Sequence, residues 1–341
     1  MISLAVKYRP QKWSDVVEQD ATKVILQNQL TTGEIKNAYL FCGGAGTGKT
    51  TCARIFANEI NKYVGTPIEL DAASNNSVDD VRKLIEQAQS ASIDSEYKVF
   101  IMDEVHALSN SAWQAMLKIL EEPPKKSIFI MCTTDPQKIP NTILSRVQRF
   151  DFKRISQQGI IDRLCYILGE EFDYPSVDSY ALDYIARVAD GGMRDAITML
   201  DKCLAYSEDL TIENVSNALG TANIITMIDL TDSIMSKNLK GIVGTINKLH
   251  SEGKDLKLFI RQYTDFILDI NKLYLLGDVK YTKLPDIDEV KDIAGESDEY
   301  FSNTLDLLDE LIKLGVAIKW DSSPKSVIEA TLIMFSRRNE T

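Results

Sequence analysis

Ala38-Tyr39-Leu40-Phe41-Cys42-Gly43-Gly44-Ala45-Gly46-Thr47-Gly48-Lys49-Thr50-Thr51 is the stretch that decides how this chain folds. Five residues suited to a buried strand run into a G-x-x-x-x-G-K-T sequence, and helical spacing continues from Lys49 to about Lys62. Strand, glycine-rich turn and helix in that order make a phosphate cradle: backbone N–H groups converge on the anion, and the helix N-terminus adds partial positive charge. In that cradle Lys49 reaches the β- and γ-phosphates and the Thr50 hydroxyl ligates Mg²⁺. Thr51, next on the helix, counts with the loop as a nucleotide-binding position. A glycine-rich turn by itself is ordinary, and it is the flanking strand and helix that make this one a nucleotide site.

Outward from it, short apolar strands alternate with amphipathic helices. Ile68–Leu70, Val99–Met102 and Ile128–Cys132 read as three further strands. Helices are expected over Ser77–Ser90, where Val78, Val81, Leu84, Ile85 and Ala88 keep helical spacing, and over Ser111–Leu120. Strands separated by helices imply an α/β domain with a parallel sheet covered on both faces. After about Ile155 the strands stop. Gln157–Glu171, Ser176–Ala189, Met193–Tyr206 and Ile212–Leu219 read as a small helical block, with Gly191-Gly192 as its break. Longer amphipathic helices follow at roughly 223–237, 239–251, 255–276, 300–318 and 324–338, with a polar, acidic loop over 277–297 carrying Pro285 and Gly295. Three domains are expected: 1–155, 156–221 and 222–341.

Length and composition agree with this. The 341 residues are 44% hydrophobic and 26% charged, ordinary for a globular chain and unlike a disordered tail or a fibre. No apolar run reaches the roughly 18 residues of a membrane span, and the N-terminus lacks signal-peptide architecture, so a cytoplasmic protein without a membrane partner is expected. The five cysteines are scattered with no C-x-x-C, which writes neither a disulfide frame nor a zinc knuckle. The net charge of −12 is uneven. Residues 1–155 hold 19 Lys and Arg against 18 Asp and Glu, whereas 156–341 hold 19 against 32. A nucleic-acid-facing patch on the first part therefore stays open.

Four more motifs carry chemistry. Val99-Phe100-Ile101-Met102 ends in Asp103-Glu104, about 50 residues after the cradle. A carboxylate there lies beside the phosphate loop and holds Mg²⁺, the role of Asp103, while Glu104 polarises an attacking water as general base. A small-molecule kinase would not require that second acid. Thr134, past the strand Ile128–Cys132, either faces the γ-phosphate or is a common strand-end threonine. Arg146, in Ser145-Arg146, is either a solvated surface charge or a finger inserted in a neighbouring subunit's site. Arg194, opening a helix after Gly191-Gly192-Met193, either contacts the γ-phosphate or pairs with the surroundings of Asp195.

Read together, the pieces resemble AAA+ ATPases, and more closely the gamma/tau (DnaX) family of bacterial DNA polymerase III clamp-loader ATPases. The match runs through Lys7-Tyr8-Arg9-Pro10, Val16-Val17 with Gln19, the phosphate loop, Asp71-Ala72-Ala73-Ser74 and Asp103-Glu104-Val105-His106. It continues in Leu117–Pro124, Thr133–Lys138, Ile143–Arg146 and Arg194-Asp195-Ala196, and it is dense from Leu4 to about Gly220. The resemblance implies ATP and Mg²⁺ as cofactors. It makes Thr134 the sensor-1 residue, Arg194 sensor 2 and Arg146 an arginine finger acting in trans. Tyr8, Arg9 and Pro10 would pack on the adenine with Val16 and Val17, and Arg82 and Lys138 fall where the family has DNA-backbone cations. The implied partners are other clamp-loader subunits in a spiral pentamer, a sliding clamp and primed template DNA, with the C-terminal helices as a collar.

Three departures stand out. The family's four-cysteine zinc module is missing between Ala57 and Leu70, so zinc is not expected. Val147 replaces the usual cysteine after Ser145-Arg146. The chain ends at Thr341, which reads as a short, gamma-like form of a phage or another streamlined replication system. The function expected is the ATP-hydrolysing motor of a clamp loader. The alternatives are a non-hydrolysing scaffold subunit, which usually loses the loop or the acids intact here, and a AAA+ branch-migration translocase, which calls for a basic C-terminal winged helix.

Overall fold

Five strands, β1 (Ala38–Gly43), β2 (Ile68–Asp71), β3 (Lys98–Asp103), β4 (Ser127–Thr133) and β5 (Gln148–Phe152), form one sheet in the order β2-β3-β4-β1-β5. Every pairing is parallel, so all five carboxyl ends lie along one edge. The structure is a computed structural model describing residues 2–90, 95–172, 177–219, 224–278, 281–282, 284, 290, 292–293 and 297–338.

The sheet is apolar on both faces, and the period of two divides its side chains between two cores. Tyr39 and Phe41 of β1, Val99 and Ile101 of β3, and Ile128, Ile130 and Cys132 of β4 pack with α3 (Lys49–Ile60) and with Trp13. Leu40 and Cys42, Phe100 and Met102, and Phe129 and Met131 face the opposite core with α4 (Val78–Gln89) and α5 (Asn110–Glu121). All seven residues of β4 are buried, as its central place requires.

The four expected strands and the helices after them are present, with ends shifted by one or two residues. The fifth strand, Gln148–Phe152, was not expected. Only Phe150 and Phe152 alternate as buried residues, too short a signal beside exposed Arg149 and Asp151. The sequence reading also omits α2 (Asp20–Thr32), where of thirteen residues only Thr22 and Leu26 are buried, so no apolar stripe announces it. Two single-turn helices were likewise unread, α1 (Leu4–Lys7) and α6 (Asn141–Leu144).

By its internal contacts the chain divides into two units, residues 1–174 with 188–201 and residues 175–187 with 202–341. The first unit adds α7 (Gln157–Glu171) and the start of α9 (Met193–Tyr206). Between these two helices in sequence, α8 spans Ser179–Val188, and Ser176 lies outside the described residues.

The second unit contains α10 (Ile212–Leu219), α11 (Ile224–Met235), α12 (Leu239–Ser251), α13 (Leu256–Leu276), α14 (Asp298–Ala317) and α15 (Pro324–Arg337). One core joins α11 to α15 around fully buried Ile242, Ile260, Tyr263, Leu307 and Leu332. Two buried polar pairs lie within it: the hydroxyls of Tyr263 and Thr231 are 2.9 Å apart, and Thr304 Oγ1 donates to Asn271 Oδ1 at 2.7 Å. Residues 220–223, where one expected domain boundary falls, and most of 277–297 lie outside the described residues. Among the described residues no helix is long and apolar enough to cross a membrane.

Candidate nucleotide site

The carboxyl edge of the sheet gathers the chemistry because β1, β3 and β4 are parallel and β4 lies between the other two. β1 delivers the phosphate loop, β3 delivers Asp103 and Glu104, and β4 delivers Thr133 and Thr134. A crevice beyond the carboxyl ends of such strands is where open α/β sheets take ligands.

Lys49 is 6% exposed, and its ammonium donates to the carbonyls of Gly43 at 2.9 Å and Gly44 at 2.7 Å. Burial pushes its pKa down, opposed by Cys132, Glu104 and Asp103. Thr50 Oγ1 donates to Asp103 Oδ2 at 2.7 Å, and the Glu104 amide donates to Asp103 Oδ1 at 3.0 Å. Glu104, in left-handed backbone (φ 48°), turns its side chain toward the end of β4. Its Oε2 accepts from Thr134 Oγ1 at 2.9 Å and from the Thr134 amide at 3.3 Å.

The loop is also held from the α9 side. The Met193 amide donates to the Gly46 carbonyl at 3.0 Å. Gly46 has φ +69°, and a Cβ on it would stand 2.9 Å from Gly192 Cα, so two glycines allow the backbones to meet. This brings Arg194 into a pocket of about 290 Å³. Arg9 lines the same pocket, and burial lowers its pKa first, followed by the nearby cations Arg54 and Arg194. Among the described residues neither the Arg9 nor the Arg194 guanidinium has a hydrogen-bond or ion-pair partner. Arg54 is paired with Glu69 at 2.6 Å. Two unpaired guanidiniums and a buried ammonium around one pocket make a site for a polyanion.

Tyr8, Pro10, Val16 and Val17 line the same pocket. The Tyr8 hydroxyl donates to Glu171 of α7, and burial and that contact push its pKa up to about 12. Lys7 pairs with the same carboxylate. The Gln19 amide brackets Lys153, donating to its carbonyl at 2.7 Å and accepting from its N–H at 3.1 Å, which fastens the Val16-Val17 segment beside the end of β5.

Of the expected site residues, the pocket thus unites Tyr8, Arg9, Pro10, Val16, Val17, Ala45 to Thr51, Asp103, Glu104 and Arg194. Gly43, Gly44 and Thr134 stand one bond behind, through Lys49 and Glu104. Three residues lie outside it. Arg146 pairs with Glu121 at 2.8 Å and donates to the Thr142 carbonyl at 2.7 Å. Arg82 pairs with Asp79 at 3.1 Å, and Lys138 with Asp135 at 3.2 Å, both exposed.

The sequence reading missed Arg163, which lines the pocket, donates to the Tyr8 carbonyl at 2.9 Å and stacks 5.0 Å over the Tyr166 ring. A lone cation on an amphipathic helix carries no local signal of that role. It also left His106 without a role, although its Nδ1 is 3.1 Å from Glu104 Oε2. There the signal was present: a histidine two residues beyond a carboxylate proposed as base.

The donor set fits a nucleotide with a hard cation. Thr50 and Asp103 offer oxygen ligands side by side, and Mg²⁺ takes few protein ligands, completing its shell with phosphate and water.

Known proteins resemble the chain in both sequence and fold. The family model described as the delta subunit of DNA polymerase III matches residues 66–156, and that of the ATPase lid domain of DNA polymerase III clamp-loader subunits matches 159–209. DNA polymerase III subunit tau of Bacillus subtilis is 36% identical over 353 residues, covering 96% of this chain and 62% of that protein. The tau subunit of Escherichia coli is 37% identical over 272 residues, covering 73% of this chain and 42% of that one. The chain therefore spans about half the length of these relatives. The gamma subunit of Buchnera aphidicola is 33% identical, covering 79% of this chain and 80% of its own. Solved structures of Thermotoga maritima RuvB share the fold: an arginine-to-alanine variant has a TM-score of 0.53 at 16% identity, covering 70% of this chain and 85% of that one. A second, described as a Holliday junction branch migration motor, gives 0.51 at 17%, with the same coverage. With identity of this extent over most of the chain, and a clamp-loader lid model matching 159–209, the chain belongs to the DnaX family of DNA polymerase III clamp-loader subunits.

Proposed function

We propose that this chain is the ATP-hydrolysing motor subunit of a sliding-clamp loader. ATP binding would draw subunits into a pentameric spiral that opens the clamp around primed DNA, and hydrolysis would release both. The observation that carries the reading is the convergence of Lys49, the Thr50–Asp103 pair, Glu104 and two unpaired arginines on one pocket.

The roles follow from position. Lys49 binds β- and γ-phosphate oxygens, exchanging its two carbonyl partners for charged ones. Gly44, Ala45, Gly46, Thr47 and Gly48 wrap the phosphates with backbone N–H groups. Thr50 and Asp103 hold Mg²⁺, which when bound offsets charge on the phosphate oxygens. Glu104 polarises the attacking water and Thr134 orients it through Oε2. Arg194 stabilises the charge of the triphosphate, and Arg9, which the resemblance puts on the adenine, is near enough to Arg194 and Asp103 to add to that stabilisation. Tyr8, Pro10, Val16 and Val17 face the base, with Arg163 tying Tyr8 to α7. Arg146 does not line its own chain's pocket and pairs with Glu121, which suits a finger acting in trans. Arg82 and Lys138, exposed on the surface, suit DNA-backbone contacts.

The three-part division at 155 and 221, with residues 222–341 as an assembly collar, belongs to the same proposal. Among the described residues of 224–338 the regular structure is helical and includes no strand, which favours the collar over a winged helix.

Glu104→Gln tests the reading. ATP affinity is expected to stay within about threefold while steady-state hydrolysis, with primed DNA and clamp present, is abolished. Normal turnover by that variant would end the assignment.

A further inference from the structure

The general-base carboxylate takes its hydrogen bonds on one oxygen. Glu104 Oε2 receives the Thr134 hydroxyl and amide, and His106 Nδ1 stands 3.1 Å from the same oxygen. His106 lies on the single 3₁₀ turn Val105–Ala107 that follows Glu104, with its side chain 22% exposed. The same Nδ1 is 3.2 Å from Thr133 Oγ1, which also accepts the Asp135 amide at 3.0 Å.

An ionised carboxylate has no proton to give. The contact at 3.1 Å is attractive only when Nδ1 carries the hydrogen, so the arrangement selects the Nδ1–H form of the ring. With the hydrogen on Nδ1, the ring donates to the Thr133 hydroxyl oxygen at 3.2 Å while the same N–H lies against Glu104 Oε2, linking the acid that leaves β3 to the end of β4. A glutamate side chain has several rotatable bonds, and Glu104 sits on left-handed backbone that surroundings must hold in place. With Oε2 held by two hydrogen bonds from Thr134 and approached by His106 Nδ1, Oε1 is the oxygen left for a water in the pocket that Glu104 lines.

We propose that His106 is a positioning residue for the base: through Nδ1 it fixes Oε2 of Glu104 so that Oε1 is presented to the attacking water. The inference rests on the reading of this pocket as an ATP-hydrolysing site.

The test compares wild type, His106→Phe and His106→Asn in the full chain. Equilibrium ATP binding, KM and kcat are measured with clamp and primed DNA present. Phenylalanine keeps the ring volume without the donor, and the asparagine amide nitrogen reaches the place of Nδ1. For His106→Phe, kcat is expected to fall about tenfold or more, the scale of one lost hydrogen bond to a charged group, with KM and ATP affinity within about twofold. His106→Asn should recover most of the loss. The proposal is overturned if His106→Phe keeps kcat within twofold, or if both variants lose kcat equally, which marks a packing role. It is equally overturned if ATP affinity falls along with kcat. A wild-type chain that neither binds nor hydrolyses ATP would instead sink the ATPase reading, and this inference with it.

Discussion

The meeting of Gly46 and Gly192 makes a sharp prediction about how the phosphate loop and Arg194 are coupled. Gly46→Ala would put a Cβ 2.9 Å from Gly192 Cα, 3.2 Å from its carbonyl carbon and 3.4 Å from the Arg194 nitrogen, all backbone atoms that cannot rotate away. The residue would also have to hold φ +69°, which costs a side-chain-bearing residue about 1 kcal/mol. The easiest relief moves residues 192–194 off the loop, breaking the Met193 N–H to Gly46 carbonyl bond, worth about 1 kcal/mol net. Together these make about 2 kcal/mol, or roughly 30-fold in an equilibrium constant.

Relief by that route also withdraws Arg194 from the pocket, so the loss should show in ATP affinity. The assay is equilibrium titration of the folded chain with a fluorescent ATP analogue, with circular dichroism to establish folding. Gly44→Ala is the control, because its Cβ would meet only Thr47 Cγ2, at an ordinary 3.8 Å. Gly46→Ala is expected to bind about 30-fold more weakly and Gly44→Ala within about threefold of wild type. If Gly46→Ala binds like wild type, or if the two alanines are equally damaging, the claim that the glycine pair couples loop to lid is wrong.

Thr50→Val removes the donor to Asp103 and an oxygen ligand; the Mg²⁺ concentration giving half-maximal hydrolysis should rise at least tenfold, and an unchanged Mg²⁺ dependence would refute the ligand role. Arg146→Ala should leave ATP binding by the isolated chain unchanged yet lower clamp- and DNA-stimulated turnover by about 10³-fold, as for other arginine fingers; full stimulation would exclude action in trans. Leu40→Ala, at a fully buried position of β1, should destabilise the first unit by about 2–5 kcal/mol in urea unfolding, with a shift under 1 kcal/mol counting against the sheet core described. Tyr8, pushed up from 10.0 to about 12, holds its proton more tightly folded than unfolded. Its contribution is therefore complete below pH 10 and lost as pH rises through about 12. Tyr8→Phe should flatten that part of the stability profile, and an identical alkaline profile would refute the contribution.

Much of the nucleotide site was legible because its motifs are local. Gly43 to Thr50 is one loop, Asp103-Glu104 one strand end, and each is punctuated by an apolar run whose period identifies the element. Elements without such a run were missed: α2 buries only Thr22 and Leu26, and β5 announces itself by two phenylalanines. Thr134, Arg146 and Arg194 could not be separated from ordinary surface residues by spacing, and only resemblance gave them roles. The structure distinguishes them by place. Thr134 touches Glu104, Arg194 lines the pocket, and Arg146 pairs with Glu121 outside it.

The sequence by itself determined the alternation of strands and helices, the phosphate loop, the acids that face it and the change to helices after Ile155. These depend on the pattern of neighbouring residues, which the chain carries wherever it goes. Tertiary structure alone decided the strand order that sets β4 between β1 and β3, and with it the contact of Thr134 and His106 with Glu104. It also decided the approach of Gly192 to Gly46 and the clustering of Arg9 with Arg194, where residues about 150 and 185 apart meet. Such meetings are set by the packing of whole elements, and no short window of sequence contains both partners.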